Sequence, residues 1–264
     1  MDAPTKKTAA DLLCQARISG TRLAELPLEV RPATPQAGYE CQDQVVQQLL
    51  EHYGGTIVGY KVACTNRLAQ ELLNQDGPFC GSLMSAVCFD SPAQLPASNY
   101  SVRVMEAEFA FRMGRDLPAA SEPLSREVIA AAIETAIPSI EIVDSRFESW
   151  TTVGAPSLIA DSACNAGWVK GPEVSDWRGV DLAAQPVRLI VNGEVAHRGS
   201  GAAVLGHPLN AIRWLVDTLH SRGLGVKKGH WVTTGVTTDV YLAEAGDHVV
   251  ADFGPIGTAE VTFQ

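Results

Sequence analysis

No run of the sequence approaches the roughly 20 apolar residues needed to span a bilayer, so a membrane-embedded role is set aside. The N-terminus, MDAPTKKTAADLL, carries two lysines with no long apolar core behind them and is not read as a signal peptide. The cytoplasm is therefore the expected location. The cysteines, at 14, 41, 64, 80, 88 and 164, include no C-x-x-C pair and match no zinc-site spacing. Free, partly buried thiols in a reducing compartment are expected. Charge is scarce, at 19% of residues, and its balance is acidic, with a formal net charge of −10. Such a surface repels nucleic acid and anionic membrane, which excludes both as partners. A small anionic substrate remains possible, because a local cation can dominate the field at one site. Nucleotide-binding loops are missing too. Gly199-Ser-Gly201 lacks a third glycine, Gly223-Leu-Gly225 follows a helix, and Lys227-Lys228-Gly229 has no glycines upstream. There is no G-x-S-x-G elbow.

What is present is enough apolar material for a sizeable core: 46% of 264 residues, sufficient for one large domain or one domain with a small appendage. Residues 1–55 read as a helical N-terminal part. Leu12, Leu13, Ala16, Ile18 and Leu23 fit a helix over Thr8–Leu26, and Val45, Val46, Leu49 and Leu50 fit a second over Cys41–Tyr53. Pro27, Pro32 and Pro35 separate the two. Residues 56–264 read as a β-rich catalytic domain. Strands are expected at Thr56–Cys64, Ser101–Met113 and Ser139–Val143. A hairpin turning at Asn192-Gly193 is expected in Pro186–Arg198. Closing strands follow at His230–Gly235, His248–Phe253 and Thr258–Phe263. Short helices are expected at Asn66–Asn74, from Ser125 to about Ala136 where Pro138 stops it, and from Pro208 to Gly223. His207 is read as the residue before a helix rather than a ligand, and the five tryptophans as packing.

The segment Arg-Val-Met-Glu-Ala-Glu-Phe-Ala-Phe carries the chemistry. On a strand, Val104, Glu106, Glu108 and Ala110 share one face, and Met105, Ala107, Phe109 and Phe111 the other. Two acids at i and i+2 stand roughly 7 Å apart and repel unless a cation lies between them. An exposed strand face is the usual fate of acid-x-acid. Here the opposite face is strongly apolar and the acids' own face holds Val104 and Ala110. A third acid, Glu141, sits between isoleucines in SIEIV and needs a partner. Three carboxylates with waters suit Mg²⁺ or Mn²⁺ rather than zinc.

With Gly59-Tyr60-Lys61, Gly114-Arg-Asp-Leu-Pro118, Pro138-Ser-Ile-Glu141-Ile-Val-Asp-Ser-Arg146, Ala160-Asp161, Leu205-Gly-His-Pro-Leu-Asn-Ala211 and Thr234-Gly235, this pattern resembles the fumarylacetoacetate hydrolase superfamily. It is most similar to the branch holding 2-keto-4-pentenoate hydratases and 4-oxalocrotonate decarboxylases. The resemblance runs from about Gly59 to the C-terminus. It implies an α+β fold with a mixed β-roll core and a helical N-terminal part, Mg²⁺ or Mn²⁺ on Glu106, Glu108 and Glu141, and a homo-oligomer or a complex with a related decarboxylase or hydratase.

A cation there would bind and polarise a small 2-oxo acid. Hydration of a 2-hydroxy-2,4-dienoate in aromatic catabolism is the leading expectation, with 2-oxo acid decarboxylation and a non-catalytic partner subunit as alternatives. Lys61, mid-strand in VGYKVAC, is the candidate proton-transfer residue, an exposed strand lysine being the plain alternative. The resemblance implies that Thr234 and Gly235 meet the substrate carboxylate, unless they are only turn residues. Asp161 is expected to orient a ligand or a lysine, or to cap a loop. Two positions depart from the hydratase pattern: Phe79 stands where those enzymes carry an Asp, and Cys164 where they carry a Ser. Residues 64–90 hold no histidine, which argues against the water activation of the superfamily's C–C hydrolases.

Overall fold

A computed structural model describes residues 3–117 and 123–264. Pro118, the last residue of the Gly114–Pro118 motif, lies outside the described residues. In chain order the helices and strands are α1 (Ala3–Ser19), α2 (Pro35–Tyr53), β1 (Ile57–Ala63), α3 (Arg67–Leu73), β2 (Phe79–Met84), β3 (Cys88–Asp90), β4 (Ala93–Leu95), β5 (Val104–Met113), α4 (Arg126–Ala132) and β6 (Ile133–Val143). There follow α5 (Ala155–Ala160), β7 (Asn165–Lys170), β8 (Pro186–Val191), β9 (Glu194–Ser200), α6 (Pro208–Ser221), β10 (Trp231–Val236), β11 (Tyr241–Leu242), β12 (His248–Asp252) and β13 (Thr258–Phe263).

The α+β arrangement expected from the sequence is present, as two mixed sheets with helices around them. The larger sheet runs β2-β1-β10-β5-β6-β7-β3, with β11 also on β5, and is parallel at β1–β10 and β3–β7. The smaller runs β4-β13-β12-β8-β9. The Asn192-Gly193 turn joins β8 to β9 as its type predicts, with φ of 52° and 88°. The sheets meet through the core face of β5, where Met105, Ala107, Phe109 and Phe111 are fully buried. The Phe109 ring lies edge-on to Phe253, the residue after β12 of the smaller sheet, with centroids 4.7 Å apart.

Helix ends differ from expectation where start signals overlap. The second helix begins at Pro35 rather than Cys41. Thr34 accepts a hydrogen bond from the Ala37 amide and Pro35 occupies the first turn, so the proline read as a separator is a start. The first helix ends at Ser19. Leu23 instead leaves it and bridges to Phe147. Ser125 caps α4 as expected, but the helix stops at Ala132 and β6 then runs straight through Pro138. Pro138 is tolerated because β7 ends beside it at Lys170; its carbonyl still accepts from the Gly171 amide.

The N-terminal helices are pinned to the β-rich part. The Gln42 amide donates to the carbonyls of Cys80 and Ile159, and the Tyr39 hydroxyl accepts from the Cys80 amide. All six cysteines are free and five are buried. Among the described residues no helix is long and apolar enough to cross a membrane.

Candidate metal centre and active site

Strand pairing brings the acids together. Glu106 of β5 stands directly opposite Glu141 of β6, and Glu108 lies two residues along on the same face. One carboxylate oxygen from each of the three lies within 4.8 Å of the others. Like charges directly opposite across a ladder are destabilising. Here Glu108 and Glu141 are also fully buried. Burial first and the charge of Glu141 second push the Glu106 carboxyl up to about 7, against the pull of Lys61. Glu108 is raised well above its ordinary value by burial, then by Glu141 and Glu106.

Both carboxylate oxygens of Glu108, and Oε2 of Glu141, are buried without a hydrogen-bond partner. Orphaned carboxylate oxygens in a core are costly unless something positive meets them. An all-oxygen donor set suits a hard divalent cation such as Mg²⁺ or Mn²⁺. The residues therefore fit the ion inferred from the sequence.

Lys61 supplies one positive charge. It is only 1% exposed, so it is not the solvent-facing lysine of the plain alternative. Its Nζ lies 3.1 Å from Glu141 Oε1 and donates to the Ala163 carbonyl at 2.9 Å. Burial alone would lower its pKa, but Glu141, Glu106 and Glu108 outweigh that and raise it, so the ammonium is retained. The carbonyl it grips belongs to a tight turn. Ser162, Ala163 and Cys164 all have φ between 52° and 60°, left-handed conformations that non-glycine residues rarely adopt in succession. The turn passes so close to Gly81 of β2 that a Cβ there would lie 2.4 Å from the Ser162 carbonyl oxygen.

A cavity of about 620 Å³ opens above the acids, with Lys61 and Glu106 in its wall. Phe79 and Cys164, the two departures from the hydratase pattern, line it as well. Burial pushes the Cys164 thiol up to about 12, so it stands there as a neutral group.

The remaining candidates are placed differently. Gly235 lines the cavity at φ 101°, and a Cβ there would lie 1.8 Å from Thr65 Oγ1. The Thr234 hydroxyl donates to the Phe109 carbonyl at 2.8 Å inside the sheet, and Thr234 is not among the residues lining the cavity. Thr237 and Thr238, rather than Thr234, are the threonines of this segment in the cavity wall. Asp161 makes its contacts within the loop that follows β6. Its carboxylate accepts from the Ser145 hydroxyl and the Arg146 amide and pairs with the Arg146 guanidinium, and so holds the loop after β6. His207 caps α6, its Nδ1 accepting from the Leu209 amide.

One residue escaped the sequence reading. Asn165, the first residue of β7, is buried and its Nδ2 donates to Glu141 Oε1 at 2.9 Å. Its backbone carbonyl is held in turn by Arg17 of α1, at 2.7 Å. Asn165 and Lys61 together occupy one oxygen of Glu141 and leave the other free. A lone amide opening the apolar stretch NAGWV was the available signal.

Comparison with known proteins agrees with this picture. The family model described as fumarylacetoacetate (FAA) hydrolase C-terminal matches residues 62–264. A 2-keto-4-pentenoate hydratase of Burkholderia vietnamiensis is 31% identical over 251 residues, covering 95% of this chain and 94% of that protein. A 4-oxalocrotonate decarboxylase of Pseudomonas putida is 28% identical, covering 83% and 81%. The structure of 4-oxalocrotonate decarboxylase from Pseudomonas putida G7, complexed with magnesium and adipate, superposes with a TM-score of 0.92 at 25% identity, over 100% of this chain and 99% of that one. The family model covers most of the chain and the relatives match nearly all of it: the chain belongs to the fumarylacetoacetate hydrolase family.

Proposed function

We propose that this chain is a Mg²⁺- or Mn²⁺-dependent hydro-lyase of the 2-keto-4-pentenoate hydratase type, acting on a small 2-hydroxy-dienoic (2-oxo) acid in the breakdown of aromatic compounds. The observation that carries the reading is the carboxylate cluster of Glu106, Glu108 and Glu141, the last two buried with unpartnered oxygens, with Glu106 and Lys61 in the wall of one cavity. Hydratases about 30% identical over nearly the whole chain support it.

The three glutamates would hold the cation, which would supply Lewis-acid polarisation of a 2-oxo acid and so raise the acidity of the carbon beside its carbonyl. Lys61 holds its protons with Nζ fixed between Ala163 and Glu141, positioned to donate to a substrate oxygen or carbon on the cavity side. Asn165 keeps Glu141 turned toward the shared centre. All of these groups lie in the 56–264 part, to which we assign catalysis, with residues 1–55 bracing the Asn165 backbone through Arg17.

Decarboxylation of a related 2-oxo acid is the second reading. Phe79 favours it, because an apolar residue occupies the wall position expected to hold an acid, and the decarboxylase relatives support it. We further propose a cytoplasmic homo-oligomer, or a complex with a related decarboxylase or hydratase. The test of function is to supply 2-hydroxy-penta-2,4-dienoate with Mg²⁺ or Mn²⁺ and follow both dienoate absorbance and CO₂ from its 5-carboxylated analogue. Metal-dependent loss of absorbance without CO₂ supports the hydratase. Release of CO₂ alone replaces it by the decarboxylase.

A further inference from the structure

The wall of the cavity beyond the acids is apolar and far larger than a five-carbon acid requires. At about 620 Å³, it falls within the roughly 300–1,000 Å³ of sites that enclose drug-sized ligands. Leu68, Leu72, Phe79, Val143, Trp150 and Leu158 line it. Leu68 and Leu72 lie on α3, a seven-residue helix with no buried residue, and are 66% and 56% exposed. Large apolar side chains left uncovered at the wall of a cavity are stabilised when a ligand covers them.

The charged groups at the wall do not favour a distal anion. Arg198 and Asp239 are both exposed and both line the cavity, so their fields oppose each other. Water-exposed charges contribute little to affinity.

We infer that the cavity selects 2-oxo acids whose end remote from the carboxylate carries an apolar group of several carbons, alkyl or aryl, seated against α3, Phe79 and Trp150. The inference rests on the proposed 2-oxo acid chemistry and names the substrate class for it. Saturated 2-oxo acids serve as non-reacting probes. Calorimetry with the full chain in Mg²⁺ compares 2-oxobutanoate, 2-oxohexanoate, 2-oxooctanoate and 2-oxohexanedioate. Each buried methylene is worth about fourfold in affinity, so 2-oxooctanoate should bind at least tenfold tighter than 2-oxobutanoate. The dioate should bind more weakly than 2-oxohexanoate. Leu72→Ser and Leu68→Ser, at exposed positions that do not threaten folding, should shrink the octanoate-to-butanoate ratio. Equal affinities, or tight binding of the dioate that Arg198→Ala abolishes, overturn this inference and leave the proposed chemistry standing. Failure of every acid to bind with metal present overturns both.

Discussion

Lys61 and Glu141 form an ion pair sealed from solvent, with Nζ 3.1 Å from Oε1 and side chains 2% and 0% exposed. A buried pair of this kind gives little net stability, because desolvation offsets the attraction. Its place in the core is better explained by the site it serves. Lys61 and Asn165 occupy one oxygen of Glu141 and the other is left facing its fellow acids.

Replacing Lys61 by Met keeps the length and removes the charge. Loss of a positioned proton donor lowers kcat by about 10²–10⁴-fold. Mn²⁺ affinity should hold or rise, because a cation competing for Glu141 has gone. Steady-state kinetics alongside Mn²⁺ titration checks the split. A parallel fall in both quantities would show that Lys61 only supports the glutamates.

Asn165→Ala removes one donor from Glu141 without touching the cavity wall. Losses of outer hydrogen bonds to metal ligands run to about 10–100-fold in metal affinity. That drop should appear in calorimetry while the circular dichroism spectrum stays unchanged.

The metal-free protein should lose stability as pH rises. Glu106 is held at about 7 against an ordinary 4.5, so the folded chain keeps a proton that the unfolded chain releases. Folding is favoured at the acid end of this window and the advantage fades between about pH 4.5 and 7. A part-buried carboxyl shifted this far accounts for about 1–3 kcal/mol. Thermal melts in chelator at pH 5 and pH 8, repeated with Mn²⁺, read the effect. The gain in Tm on adding metal should be larger at pH 8.

Gly235→Ala should destabilise by about 3 kcal/mol or more, from a strained positive φ and the clash with Thr65. Adding Thr65→Ala should recover only the part due to the clash. Urea denaturation of the single and double variants separates the two.

The β5 pattern was legible in full. Alternation placed Glu106 and Glu108 on one face and the four core residues on the other, and the ladder confirms both. Glu141 was legible because a carboxylate between isoleucines has no solvent to meet. Pro138 misled, because a proline ends a helix on local grounds but is harmless where the neighbouring strand has already stopped. The partners of Thr234 and Asp161 were not legible. A hydroxyl or carboxylate near a site can be taken by the backbone, as by Phe109 and Arg146, and that depends on contacts 125 and 15 residues away in sequence. Asn165 was missed for the same reason: its partner lies on another strand.

Mn²⁺ titration of the wild-type chain, Glu108→Gln and Glu141→Gln, read by calorimetry with folding checked by circular dichroism, is the most direct trial of the three-glutamate centre. One ion per wild-type chain and at least a hundredfold weaker binding in each folded variant is the expected result. Unchanged affinity in either variant would contradict a shared ion at these carboxylates.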